Sequence, residues 1–307
     1  MTAPETQGSE GFAKFDVPAA GKECQTWYSV YGDLKAGVRP LVCLHGGPGI
    51  PHDYLSPIKN LAAAYSIPVV MYDQLGCGRS THLQEKNGDE AFWTVDLFLA
   101  ELDNLLVHLG IRDDYDLLGQ SWGGMLGAEH AIRQPKGLNK FINASGPASV
   151  ELFLKATAKL RAELPQDIQD TLTKHEQNGT TDSEEYEEAM MVFYDRHTCR
   201  IKPMPEELMS SFAYLKEDNT VYNTMNGPSE FHVIGSLKTF SVVDRIHQIK
   251  VPTLLINGKY DEATDEVMEP FFKIIEKVKW IRFAESSHMP HLEEAEEYLK
   301  VLNNFLK

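Results

Sequence analysis

The chain has 307 residues, of which 42% are hydrophobic and 24% charged, a balance that excludes a disordered or fibrous protein and allows one large domain or two ordinary ones. Its formal net charge is −16, from 45 acidic against 29 basic side chains, which argues against nucleic-acid and anionic-membrane partners and is compatible with a cationic substrate. No stretch approaches the roughly 18 uninterrupted apolar residues of a spanning helix, residues 1–10 lack the basic and apolar regions of a signal peptide, and Cys24, Cys43, Cys77 and Cys199 show neither a CxxC pair nor metal-ligand spacing. These cysteines read as reduced thiols of a cytoplasmic protein.

In chain order, residues 25–30 and 40–44 read as strands, the second nearly all apolar, as a buried central strand should be. It runs into His45-Gly46-Gly47-Pro48-Gly49, a turn in which a backbone N–H can point at a substrate carbonyl oxygen. Gly47 is the expected donor and Gly46 the near alternative. A phosphate cradle would instead need G-x-G-x-x-G or G-x-x-x-x-G-K-[ST], and neither stands here. Residues 67–72 form another buried run, followed by Asp73-Gln74-Leu75-Gly76-Cys77-Gly78-Arg79-Ser80, read as a structural turn that anchors Arg79 to a carboxylate. Residues 95–109 place apolar side chains at helical spacing, 115–118 read as a strand, 122–133 as a helix and 140–144 as a strand. Such alternation predicts an α/β protein with a mostly parallel central sheet and helices on both faces. From 148 to 240 the chain is rich in Glu, Lys, Met and aromatic residues at helical spacing, and strand patterns resume only at 252–256 and 280–283. The expected organisation is therefore a core of residues 1–147 and 241–307, interrupted by a helical cap of residues 148–240.

The strongest chemical signal is Gly119-Gln120-Ser121-Trp122-Gly123, which fits G-x-S-x-G between an expected strand and an expected helix. A sharp strand-to-helix turn lifts the serine hydroxyl above the sheet, and the helix N-terminus favours the negative charge that develops there. The N–H of Trp122 would pair with that of Gly47 (or Gly46) to form an oxyanion hole. A serine hydroxyl needs a base, and in the α/β-hydrolase fold the partners follow in the order Ser, Asp or Glu, His. Asp261 and His288 each follow an expected strand, where open α/β sheets place their sites. His291 is the competing base.

Together with Val221-Tyr222-Asn223-Thr224-Met225-Asn226-Gly227-Pro228-Ser229-Glu230-Phe231, these motifs resemble the proline iminopeptidase family of serine aminopeptidases and amino-acid amidases, over nearly the whole chain. The resemblance implies a substrate with a free amino group, a short peptide or amino-acid amide, cleaved after an N-terminal proline or other small or apolar residue. It implies that Glu230 and Glu262, with Tyr222, hold the substrate amine. It calls for no metal or organic cofactor and leaves a monomer or small homo-oligomer equally open. The sequence departs from the family in Ser287, where a glycine is usual, and in Lys259-Tyr260 before the aspartate. Phe193, Tyr194, Phe212 and Tyr214 are candidates for lining a first-residue pocket, although helix packing accounts for most such residues. An esterase, a lactonase or a biosynthetic hydrolase is the alternative within the same chemistry, and a non-catalytic binding protein on the same scaffold is the alternative outside it.

Overall fold

The computed structural model describes residues 8–307; of the stretch read as carrying no signal peptide, residues 1–7 lie outside the described part. Eight strands, β1 (Ser9–Phe15), β2 (Cys24–Tyr31), β3 (Leu41–Leu44), β4 (Val69–Tyr72), β5 (Tyr115–Gln120), β6 (Leu138–Ala144), β7 (Thr253–Gly258) and β8 (Val278–Phe283), form one sheet in the order β1-β2-β4-β3-β5-β6-β7-β8. The first two pairings, β1 with β2 and β2 with β4, are antiparallel, and every later one is parallel. β3, β4, β5 and β7 are buried along their whole length, as strands covered on both faces must be, which explains why β3 and β4 are apolar throughout. β1 was not expected. It is an edge strand that buries only Ala13 and Phe15 and leaves Phe12 54% exposed, so its apolar signal is thin.

Helices α1 (Asn60–Tyr65), α2 (Val95–His108) and α3 (Trp122–Ile132) connect the first strands. The Thr94 hydroxyl caps α2 by accepting from Leu97 N–H, and the buried face of α2 carries Phe98, Leu99, Leu102, Leu105 and Leu106, the stripe that the periodicity marks. Between β6 and β7 run α4 (Val150–Arg161), α5 (Gln166–Asn178), α6 (Glu184–His197), α7 (Glu206–Glu217) and α8 (Thr220–Met225). α9 (Asp265–Ile274) follows β7, and α10 (Pro290–Glu293) and α11 (Ala295–Leu306) follow β8. α5 and α6 share a separate apolar cluster with Leu172, Tyr186, Phe193 and Phe231 at its centre, apart from the clusters on the two faces of the sheet. α4 instead packs on α9 through Phe153, Ala156, Ala263 and Val267. We propose that residues 148–240 form the cap and that α4 is its root, seated on the core. No helix of the described residues is long and apolar enough to cross a membrane.

Candidate active site

Ser121 sits between β5 and α3 with φ +56° and ψ −122°, a backbone conformation that a side-chain-bearing residue adopts only when its surroundings impose it. Two glycines permit the turn. A Cβ on Gly119 would come within 2.0 Å of the Gly123 carbonyl oxygen, and one on Gly123 within 2.2 Å of that of Leu44. The turn brings Ser121 to the wall of a cavity of about 430 Å³ that His288 also lines. The His45–Gly49 turn reaches the same cavity through Gly46 and Gly47.

The two glycines of that turn are not equivalent. The N–H of Gly46 donates to the Tyr54 hydroxyl at 2.7 Å, and that hydroxyl donates in turn to Gln120 Oε1 at 2.6 Å. Gly46 is thereby removed as an oxyanion donor, correcting the alternative left open above. Among the described residues the N–H groups of Gly47 and Trp122 have no hydrogen-bond partner, so neither is spent within the protein. Gln120 also donates through Nε2 to the His288 carbonyl oxygen at 3.2 Å, which ties the serine turn to the histidine loop.

His288 Nδ1 donates to Asp261 Oδ1 at 2.7 Å, and both residues are buried. Asp261 is held from all sides: Ser145 Oγ donates to its Oδ2 at 2.6 Å, and the N–H groups of Ala263 and Gly258 donate at 2.8 Å and 3.3 Å. Ser145 has φ +57° at the end of β6, another imposed conformation. Burial alone would push His288 down, but Asp261 and Glu262, with Glu230 behind them, outweigh it and raise the imidazole to about 9. His291 lies outside the cavity lining, buried, with both ring nitrogens unpartnered, and burial pushes it down to about 3. Ser287 donates through Oγ and N–H to Glu293, at 2.8 Å and 2.7 Å, so the departure from glycine supplies a latch for the histidine loop.

Glu230, Glu262 and Tyr222 line the cavity too. The Tyr222 hydroxyl donates to Glu230 Oε1 at 2.6 Å, and the Glu230 N–H donates to the Tyr194 hydroxyl at 3.3 Å. Glu262 is 0% exposed, and neither carboxylate oxygen has a hydrogen-bond partner. Burial raises Glu262 well above the usual carboxylate range, with His288 opposing the rise. Burial likewise raises Glu230. Of the four aromatic candidates, Tyr194 and Phe212 line the cavity, Phe193 packs on Phe231 at 4.8 Å, and Tyr214 lies under the Arg79 guanidinium at 5.4 Å. Arg79 pairs with both oxygens of Asp53, at 3.0 Å and 3.2 Å, the structural anchoring expected of its loop.

Sequence reasoning missed four residues here. Ser145 and Tyr54 carry no local motif. Thr198, whose hydroxyl is buried, unpartnered and in the cavity wall, looks like any helix-end threonine. His197 closes α6, and its carbonyl accepts the N–H of both Glu262 and His288, at 3.3 Å and 3.2 Å, while its Nδ1 donates to the Tyr260 carbonyl at 2.9 Å.

A strand-turn-helix serine and a buried His–Asp pair facing one cavity are features of a hydrolase site built on an α/β sheet. Residues 39–295 match the family model described as the alpha/beta hydrolase fold. A proline iminopeptidase of Saccharolobus solfataricus is 39% identical over 280 residues, covering 91% of this chain and 88% of that one. The crystal structure of the proline iminopeptidase of Mycobacterium smegmatis superposes with a TM-score of 0.88 at 42% identity, over 97% of each chain. The crystal structure of VinJ superposes with a TM-score of 0.93 at 51% identity, over 97% of this chain and 98% of that one. The chain is thus a hydrolase of the alpha/beta hydrolase fold and belongs, within it, to the proline iminopeptidase family.

Proposed function

We propose that the protein is a serine aminopeptidase that removes an N-terminal proline, or another small or apolar residue, from short peptides or amino-acid amides. Glu262 carries the reading: a fully buried carboxylate with no hydrogen-bond partner on either oxygen, lining the cavity that Ser121 and His288 also line. An isolated buried carboxylate is costly, and a substrate ammonium would offset that cost while fixing the first residue in register. Glu230, already oriented by Tyr222, supplies the second arm. The cavity of about 430 Å³, with Met190, Met191 and Phe212 in its wall, suits an apolar first residue and leaves space for the leaving amine. Four buried free cysteines accord with a reducing compartment, and we place the enzyme in the cytoplasm.

In this mechanism Ser121 Oγ attacks the carbonyl carbon of the first residue while His288 Nε2 takes its proton. Asp261 holds the tautomer and stabilises the imidazolium. The N–H groups of Gly47 and Trp122 receive the oxyanion, each worth about 3 kcal/mol of barrier. His288 then protonates the departing amine, and water repeats the sequence on the acyl-enzyme.

The test is kcat/KM on prolyl and N-acetylprolyl p-nitroanilide, with Ser121→Ala as control. The expected result is strong preference for the free amine and loss of turnover in Ser121→Ala with unchanged thermal unfolding. Equal rates on both substrates, or a Ser121→Ala variant that still turns over, would overturn the reading.

A further inference from the structure

Glu262 also stands next to the base itself. Its Oε1 lies 3.8 Å from His288 Nε2, the nitrogen that must accept the Ser121 proton. Three acids face the imidazole: Asp261 at Nδ1, Glu262 at Nε2 and Glu230 from the cap. His291 lies behind it, and the His197 ring is turned to the Tyr260 carbonyl. Among the described residues Lys216 is the one ammonium or guanidinium lining the cavity, and it pairs with Glu187 at 3.8 Å. Among the described residues that line the cavity, then, the positive charge at hand to answer Glu262 is one placed on His288.

We propose that Glu262 gates the general base: in the empty site the Glu262 carboxylate keeps a proton on His288 Nε2, and the substrate ammonium, by becoming the partner of Glu262, lets that proton leave and frees Nε2 to accept from Ser121. This rests on the aminopeptidase reading and adds to it. An amine anchor alone would govern affinity; the gate makes the free amine a condition of the chemical step.

At 3.8 Å the contact is ionic and not a hydrogen bond, so what the geometry supports is an imidazolium whose Nε2–H faces the Glu262 carboxylate. In that arrangement the proton occupies the Nε2 lone pair. Both groups also shift in the same sense, the imidazole raised by its acidic neighbours and the Glu262 carboxyl raised by burial. The balance is simple: the empty site holds one proton, the substrate enters as an ammonium, and one proton leaves to solvent. No bond to carbon forms or breaks in this step.

A neutral ester without an amine, p-nitrophenyl acetate, isolates the gate. In the wild type its hydrolysis should be slow at pH 7 and rise toward the alkaline range. In Glu262→Gln the rising limb should move down toward the ordinary histidine range of ~6.5, with a gain of about tenfold or more at pH 7. The same variant should lose activity on prolyl p-nitroanilide. Ethylammonium chloride added to the wild type should accelerate ester hydrolysis at pH 7 with saturation, a second readout that needs no variant. An ester profile that Glu262→Gln leaves in place, together with no acceleration by ethylammonium, would overturn the gate while the preference for free over acetylated prolyl anilide kept the aminopeptidase reading standing. Loss of that preference in the wild type would remove both.

Discussion

Asp261 and Glu262 are neighbours in the chain, and their surroundings are opposite. Asp261 accepts four hydrogen bonds, from His288, Ser145, Ala263 and Gly258, whereas Glu262, equally buried, accepts none. A carboxylate with every lone pair answered is a fixed anion that serves the fold and the imidazole together. One with none answered by a hydrogen bond is completed only by a cation, the imidazolium beside it or an ammonium from outside. On the proposed function the contrast separates catalysis from recognition more sharply than distance does, since a single peptide bond joins the two residues.

The comparison can be broken at its strongest point first. Asp261→Asn should lower kcat by about 10⁴-fold, on the prolyl anilide and on p-nitrophenyl acetate alike, because the imidazole loses its tautomer control. A loss confined to one substrate would mean that Asp261 belongs to recognition. Glu230→Gln should sharpen the contrast in the other direction, cutting kcat/KM for prolyl p-nitroanilide by about 100-fold, as expected for a lost charged hydrogen bond, while the acetylated compound changes little. Ser145→Ala removes one of the four bonds to Asp261 and should lower kcat about tenfold with KM nearly unchanged.

The smallest effect is on stability. The folded protein raises the pKa of Glu262, so the stability linked to this group is fully present below its unfolded value of ~4.3 and is lost as pH rises through the folded one. His288, raised to about 9, gives up its charge over the same upward direction and ceases to answer the carboxylate. Glu262→Gln should therefore match the wild type in thermal unfolding near pH 4 and exceed it by about 2 °C at pH 9. A gap that narrows with pH would contradict the assignment of the unpartnered carboxylate.

What the sequence disclosed follows from how local each signal is. The Ser121 turn was legible because its requirements, glycine at 119 and 123 between a strand and a helix, are met within a few residues. The strands buried on both faces were legible from their apolar runs, and β1 was not, since its contribution to the core is two side chains. The Asp261–His288 pair could be found by order along the chain, although what surrounds it could not. Ser145 reaches Asp261 across 116 positions, and Tyr54 reaches Gln120 across 66. Only the sheet order β5-β6-β7, which sets the ends of those strands side by side, brings such residues together. Gly46 and Gly47 look interchangeable in sequence. Their difference depends on a tyrosine hydroxyl that happens to be within reach of one of them.

The carbonyl at the end of α6 has a mechanical consequence. Through it the cap holds the backbone of both Glu262 and His288, and the His197 ring adds a third attachment at Tyr260. That corner works as a pivot fastened to the machinery beneath it. Swinging the proposed cap away at α6 would unseat the residues proposed as base and amine receptor together, and α7 and α8 are fastened to the core as well, Ser211 bridging Pro51 and Tyr54 and Thr224 accepting from the Gly88 N–H. The proposed cap is thus pinned on both margins of the cavity, and lifting it as a whole would break the contacts that seat His288 and Glu262.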